Sequence, residues 1–583
     1  MLLLISFTSL LISAFLTFSN CETIPKSCES PIYCYGEILD RVQLAKLFED
    51  GKIFVDLKMK YSVVTTQNNF KKLPNYPNPS KITLKTFVND NFEEGDELRN
   101  WTLPDFNESP DFVKKIENEE VKKFTKELIS IWPQLGKHVK KEVSENSDQY
   151  SLIPVPNGFI VPGGRFREYY YWDSYWIIDG LLINEMTTTA QGMIDNFISL
   201  VQRFGFVPNG GRVYYLQRSQ PPLLTPMAYL YYKQTRNTTW LEANIDMLAK
   251  ELLYWVNQTI TIQKNFRTYT MAHYNAVSEG PRPESYREDV ETANAYVNKS
   301  QKQELYVDLK SGAESGWDFS GRWIFDDNGG NQGPLSKIQT RRVVPVDLNA
   351  FLCGAFRDIS ELYNDIKKPK ESAYWKDNYN QMKKAINDIL WDETDGIWYD
   401  YDIKLDRHRR LFYPSGVTPL WSKCFDAEKG QELGKRVVEY FKKLGILEYL
   451  GGIPASDDNT NEQWDFPNAW PPLQDIVVRG FENSGYPLAQ EEAKILAERW
   501  IKSNMIGYEE KGVMYEKYHA EMPGKYGQGG EYKVQSGFGW SNGVALRFIY
   551  DYYTVESKDN HSYQIKGCSL LFWSLIVILK VII

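Results

Sequence analysis

Residues 162–176 read PGGRFREYYYWDSYW, seven aromatic rings and four charges within fifteen positions. Flat rings cover the C–H face of a pyranose, while guanidinium and carboxylate groups engage its hydroxyls through paired hydrogen bonds. The stretch is composed like the wall of a sugar pocket. Its opening Pro162-Gly163-Gly164 offers a tight backbone turn, which displays the charged and aromatic groups at the mouth of the helix that follows.

Outward from that turn, apolar residues three and four apart predict helices over 174–203, 239–257, 347–364, 375–390, 427–444 and 488–504. Strand signals are sparse. Residues 28–110 are richer in Pro, Asn and short apolar runs and read as an N-terminal wrap, with Asp40 to Leu47 helical. No short fixed-period repeat and no Gly/Ser or Pro linker splits residues 111–556, so they read as one large helical domain that the segment 22–110 wraps. Helices alternating with aromatic, Gly-rich loops predict an all-α toroid whose long loops converge at one end.

The chain has 583 residues, 42% hydrophobic and 14% aromatic, with 17 Trp and 38 Tyr, and buries a large core. A net charge of −9 and a pI near 5.4 argue against a nucleic-acid partner, which needs a basic face. His138, His273, His408, His519 and His561 are scattered, and the cysteine spacing fits no zinc motif, so neither a metal nor a cofactor is implied.

Residues 2–18 are uncharged and precede Ser19-Asn20-Cys21, so 1–21 read as a secretory signal peptide, with an uncleaved anchor as the alternative. Six glycosylation sequons, at Asn100, Asn107, Asn237, Asn257, Asn298 and Asn560, suit an exported chain. Of the cysteines in the mature body, Cys28 and Cys34 are close enough to form a local disulfide; Cys353 and Cys424 are left unassigned. Leu570 to Ile583 is an apolar run of fourteen residues, short for a spanning helix. Residues 557–583 therefore read as a membrane-anchor signal, either for a lipid anchor or as a short transmembrane segment, which places the protein on the outer cell surface.

A second stretch, QWDFPNAWPP at 463–472, sets two Trp, one Asp and three Pro in ten residues. By itself it describes a rigid loop, neither helix nor strand, that presents rings and a carboxylate. The two stretches, about 300 residues apart, resemble the two signatures of the trehalases, inverting glycoside hydrolases that split α,α-trehalose into two glucoses. Ala469 replaces the Gly found in many members. The resemblance runs from roughly 40 to 555 and implies an (α/α)6 toroid, trehalose as the small-molecule substrate, and no cofactor.

Inverting hydrolysis needs one carboxylic acid to protonate the leaving oxygen and one carboxylate to activate water. In ESGWDFSGRW, residues 314–323, Asp318 lies between Trp317 and Phe319, where desolvation would keep it protonated. The resemblance makes Asp318 the general acid and Gly316 a backbone contact to sugar. Glu516, beside Lys517, taken alone reads as an exposed pair on a helix; a Glu next to a Lys stays ionised, as a base must. The resemblance makes Glu516 the general base and Glu531, after the Gly524 to Gly530 lid, a substrate contact. It also carries over Arg165, Trp172, Asp173, Asn209, Arg218, Ser219, Gln220, Arg282, Pro283 and Glu284 as sugar contacts. The planar forks of the three arginines suit paired hydroxyls or a catalytic carboxylate. The rival readings are another glucosidase on the same toroid and a non-catalytic cell-surface sugar-binding protein.

Overall fold

A computed structural model describes residues 24–530 and 535–554. The expected signal peptide (1–21) and membrane-anchor signal (557–583), Glu531 and Asn560 lie outside the described residues.

Thirteen helices frame the site: α1 (Glu119–Leu135), α2 (Asp173–Ile183), α3 (Thr187–Phe204), α4 (Leu224–Thr235), α5 (Thr238–Val256), α6 (Lys299–Glu314), α7 (Val346–Asp365), α8 (Pro369–Ala385), α9 (Thr418–Trp421), α10 (Gly430–Lys443), α11 (Pro471–Ser484), α12 (Pro487–Lys511) and α13 (Gly539–Tyr553). Helices α2, α4, α7, α9, α11 and α13 touch in that order, and α13 returns to α2, closing an inner ring. Helices α1, α3, α5, α8, α10 and α12 pack outside it, and α6 is an addition that leads into the Asp318 loop. This is the (α/α)6 toroid.

Burial follows the ring. Every residue of α2 is buried, as befits a helix apolar around most of its circumference. Outer α10 buries Leu433, Val437, Val438, Tyr440 and Phe441 at helical spacing and turns its Lys and Glu residues outward. Pro begins α11 and α12, where a missing N–H costs nothing, and a left-handed Gly ends each, Gly485 at φ 69° and Gly512 at φ 69°.

The predicted helix over 174–203 is in fact two, α2 and α3, turned back on each other at Asn184 to Met186, where Glu185 takes φ 64°. The wrap helix runs Glu37–Leu44 instead of Asp40 to Leu47. Helices α4, α11 and α13 escaped the periodicity because Pro226, Pro471-Pro472 and Gly539/Gly543 interrupt the pattern with poor helix formers.

The wrap packs Phe54, Phe70, Phe87 and Phe92 edge to face and shares its apolar cluster with Tyr170, Tyr214 and Tyr215 of the toroid. Cys28 and Cys34 form the expected disulfide, and Cys353 of α7 is bonded to Cys424 beyond α9.

The inner ring closes through glycine. A Cβ on Gly543 would lie 1.9 Å from the Trp176 carbonyl oxygen, and one on Gly180 would lie 2.8 Å from Gly543 Cα, so α13 and α2 meet backbone to backbone. Gly543→Ala is expected to destabilise the fold by at least the roughly 1–3 kcal/mol typical of overpacking, because the obstacle is main chain and cannot rotate away. Urea unfolding of the variant against the wild type measures this.

Candidate active site

A cleft of about 750 Å³ opens where the inner helices begin. Asp173 starts α2, Trp470 caps α11 and Phe538 caps α13, and all three line it.

The segment after α6 brings Asp318 to the cleft. Gly316 takes φ 76°, and a Cβ there would meet Trp172 Cζ2 at 2.7 Å, so both backbone and space demand glycine. Trp317 and Phe319 are buried, and Asp318 between them is half-buried. Downstream, Arg322 forks between Asp347 and Asp400 with four hydrogen bonds of 2.7–2.9 Å, its guanidinium beside the rings of Trp317 and Trp323. Such a buried, saturated cluster holds the loop in one conformation.

The 463–472 segment supports that loop from the other side. Gln463 donates its amide to the Asp318 carbonyl, and Trp464 N–H donates to Phe319 at 3.0 Å. The carboxylate expected to be displayed turns inward instead: Asp465 accepts from Ser320 Oγ at 2.7 Å and Gly321 N at 2.6 Å. Burial lifts its carboxyl to about 6, opposed by those hydrogen bonds. The segment is also more regular than a loop, because Asn468–Ala469 pairs as a short strand with Tyr518–His519 and Pro471 opens α11. Trp464 and Trp470 stack with centroids 3.9 Å apart, and Trp172 packs on Trp464 at 5.7 Å.

Glu516 is neither exposed nor helical. It is 2% exposed at a bend before the Tyr518–His519 strand, its N–H donating to Gln535 O at 3.0 Å and its carbonyl accepting from Trp540 Nε1 at 2.9 Å. The neighbouring Lys517 does not pair with it; its Nζ donates to Gln463 Oε1 and to Gly529 O, each at 3.2 Å. Burial pulls that ammonium down to about 8, against the raising charges of Glu516 and Asp318. Burial also raises Asp173 to about 8, with Glu516 and Asp318 adding to the push. That shift favours the protonated form of Asp173, which can donate to a hydroxyl, in a cleft it shares with three other carboxyl groups, those of Glu284, Asp318 and Glu516.

The remaining contacts divide. Arg218 spends part of its fork on Asn209 Oδ1 at 2.9 Å and Glu284 Oε1 at 2.7 Å, and Arg282 grips Asp289 at 2.7–3.1 Å. Burial works to raise Glu284, but the Arg218 and Arg282 charges hold it below the usual carboxylate range. Arg165, Asn209, Arg218, Gln220, Arg282 and Glu284 all line the cleft, and Gln220 also anchors Trp172 N at 3.1 Å. Ser219 and Pro283 are not among its lining residues. The Ser219 hydroxyl donates to Val207 O and its N–H to Glu314, and the Pro283 carbonyl accepts from Gln43, so both shape backbone behind the wall.

The wrap supplies what sequence reasoning missed. Asp50 pairs with the Arg165 guanidinium, and Lys52 reaches the cleft wall while bonded to Glu168 at 2.7 Å and Asp56 at 2.6 Å. The Asp-Gly-Lys of residues 50–52 carries no aromatic or motif signal; only the fold brings it to the site.

An (α/α)6 toroid with carboxyl groups and stacked indoles at its loop end defines a glycoside hydrolase. The trehalase family profile matches residues 46–553. The trehalase of Tenebrio molitor is 48% identical over 91% of this chain and 96% of its own length, and human trehalase is 45% identical over 91% and 90%. The neutral trehalase structure from Saccharomyces cerevisiae superposes with a TM-score of 0.54 at 23% identity, covering 69% of this chain and 74% of that one, which supports the fold. The chain belongs to the trehalase family.

Asp50→Ala is expected to lower kcat/KM for glycoside hydrolysis roughly tenfold or more, mainly through KM, since a hydrogen bond to a charged group contributes about 1.5–3 kcal/mol. Gly316→Ala should cost about 10²-fold in kcat/KM by displacing Trp172 and Asp318 together. Steady-state kinetics of the two variants, each checked for an unchanged unfolding midpoint, tests both.

Proposed function

We propose that this chain hydrolyses α,α-trehalose to two glucoses with inversion at the cleaved anomeric carbon, using Asp318 as general acid and Glu516 as general base. The observation that carries the reading is the convergence of these two carboxyl groups, from segments almost two hundred residues apart, on one indole-walled cleft in a trehalase-family chain. Asp318 gives its proton to the glycosidic oxygen as the C–O bond breaks. Glu516 takes a proton from a water attacking the anomeric carbon on the opposite face, and one glucose leaves as the β anomer. Arg165, Arg218, Arg282, Asn209, Gln220 and Glu284 bind hydroxyls, and Trp172 covers a sugar face; Glu531 belongs to the same set by family resemblance. Neutral Asp173 donates where an ionised carboxylate would repel Glu516.

The protein is exported and held at the cell surface. Two disulfides and the solvent-exposed sequons at Asn100, Asn257 and Asn298 support passage through an oxidising, glycosylating route. Among the described residues no helix is long and apolar enough to cross a membrane, and the attachment is assigned to the 557–583 segment as a lipid-anchor signal.

Asp318→Asn and Glu516→Gln should each reduce kcat at least about 10²-fold while changing KM far less. Proton NMR of the wild-type reaction should show β-glucose and α-glucose appearing in equal initial amounts from trehalose, and no cleavage of maltose or sucrose. Equal activity in either variant, or retention of the α configuration in both products, would overturn the mechanism. Phosphatidylinositol-specific phospholipase C should release the activity from intact cells; retention with an intact C-terminal peptide excludes the lipid anchor.

A further inference from the structure

We propose that Lys517 is a positioning residue that fastens the glycine-rich lid, residues 524–530, to the segment carrying Asp318. The proposal rests on the hydrolase reading of the site above.

Lys517 is fully buried, and its ammonium donates to neutral amide oxygens, not to a carboxylate, in its hydrogen bonds among the described residues. A buried cation is costly unless it is held by acceptors, and among the described residues this one is hydrogen-bonded to two oxygens from two different segments. Gly529 O belongs to the lid, and Gln463 Oε1 belongs to the segment that supports the acid. The Trp470 ring lies 5.0 Å from Nζ and supplies a third, weaker partner.

The contact with Gln463 sets a direction. An ammonium only donates, so it selects the amide oxygen, and the amide NH2 must then face the other way. On that other side is the Asp318 carbonyl, to which Gln463 Nε2 donates. Without the cation the amide loses the contact that anchors its oxygen, and the Asp318 carbonyl alone is left to hold its orientation and position. Lys517 thus fixes the polarity of a chain of hydrogen bonds running from the lid to the acid, and it does so from the position next to Glu516.

The lid is built to lie on this chain. Gln528 N donates to Asn468 Oδ1 at 2.6 Å, Asn468 Nδ2 donates to Gln528 O at 2.8 Å, and Gly527 N donates to Lys517 O at 3.1 Å. A Cβ on Gly527 would lie 2.5 Å from Asn468 Oδ1, and one on Gly530 would lie 2.5 Å from Gln463 Oε1. The glycines therefore allow the strap to reach the two amides, and Lys517 ties it down.

The test uses the whole chain with Lys517→Met and, separately, Gln463→Met. With Lys517→Met, kcat on trehalose is expected to fall about 10²-fold with KM within about threefold, the size of effect that small misplacement of a catalytic group produces. Backbone hydrogen exchange of residues 527–530 should accelerate at least about tenfold while the helices keep their protection. With Gln463→Met, kcat should fall about tenfold or more and the lid should exchange near the wild-type rate, because the Gly529 contact remains. A Lys517→Met enzyme with kcat within threefold of wild type, or with lost kcat and unchanged lid exchange, overturns the proposal. Should Lys517→Met fail to fold, unchanged kcat in Gln463→Met overturns it alone. A wild-type protein inert toward trehalose overturns the functional reading, and the exchange comparison still decides whether Lys517 holds the lid.

Discussion

The closure of the inner ring at Gly180 and Gly543 is the constraint from which the site follows. Because α2 and α13 touch through backbone, their N-terminal approaches are forced together: Gly539 N donates to Pro162 O at 2.7 Å, and a Cβ on Gly163 would strike the Gly537 carbonyl at 2.3 Å. The rings and guanidinium of residues 162–176 thereby face the Glu516 segment, more than three hundred residues away in the chain. A larger residue at the crossing would separate the wall of the sugar pocket from its base.

Around that junction the protein sorts its carboxyl groups by the company it gives them. Asp347 and Asp400 are consumed by Arg322, Asp465 by a hydroxyl and a backbone N–H, and Glu314 by the N–H groups of Ser219 and Asn275 at 2.9 and 3.1 Å. Each is buried and each fixes a loop. Glu284 is held below the usual carboxylate range by two guanidinium charges, whereas burial, with Glu516 and Asp318 adding to it, pushes Asp173 up to about 8. Asp318 and Glu516, the proposed acid and base, sit on segments that these buried groups hold in place, which limits the reorganisation needed when charge develops on a substrate.

Much of this was legible in advance. Spacing of apolar residues located the ends of α5, α7 and α10 to within about three residues and those of α8 and α12 to within about seven, and the stretch 162–176 supplies Arg165, Phe166, Tyr170, Trp172 and Asp173 to the cleft. Where glycine and proline begin or interrupt a helix, as in α4, α11 and α13, tertiary burial overrides a weak local preference, and periodicity alone missed them. The site was legible where rings and charges cluster in one stretch. It was illegible at Asp50 and Lys52, which look like ordinary surface residues of the wrap, and at Ser219, Pro283 and Asp465, whose residue types fit a pocket but whose side chains or carbonyls face the protein.

The sequence by itself determined the helical periodicity, the disulfide between neighbouring Cys28 and Cys34 and the family, because these depend on local spacing and on residue type, whereas the candidate acid and base came from the family resemblance. Only the tertiary structure decided that Cys353 reaches Cys424, that burial raises Asp173, that Lys517 serves Gln463 and Gly529 instead of Glu516, and that the wrap completes the pocket. Those outcomes depend on which groups share a desolvated space and which donor faces which acceptor. Both are properties of the closed ring and of no segment of it.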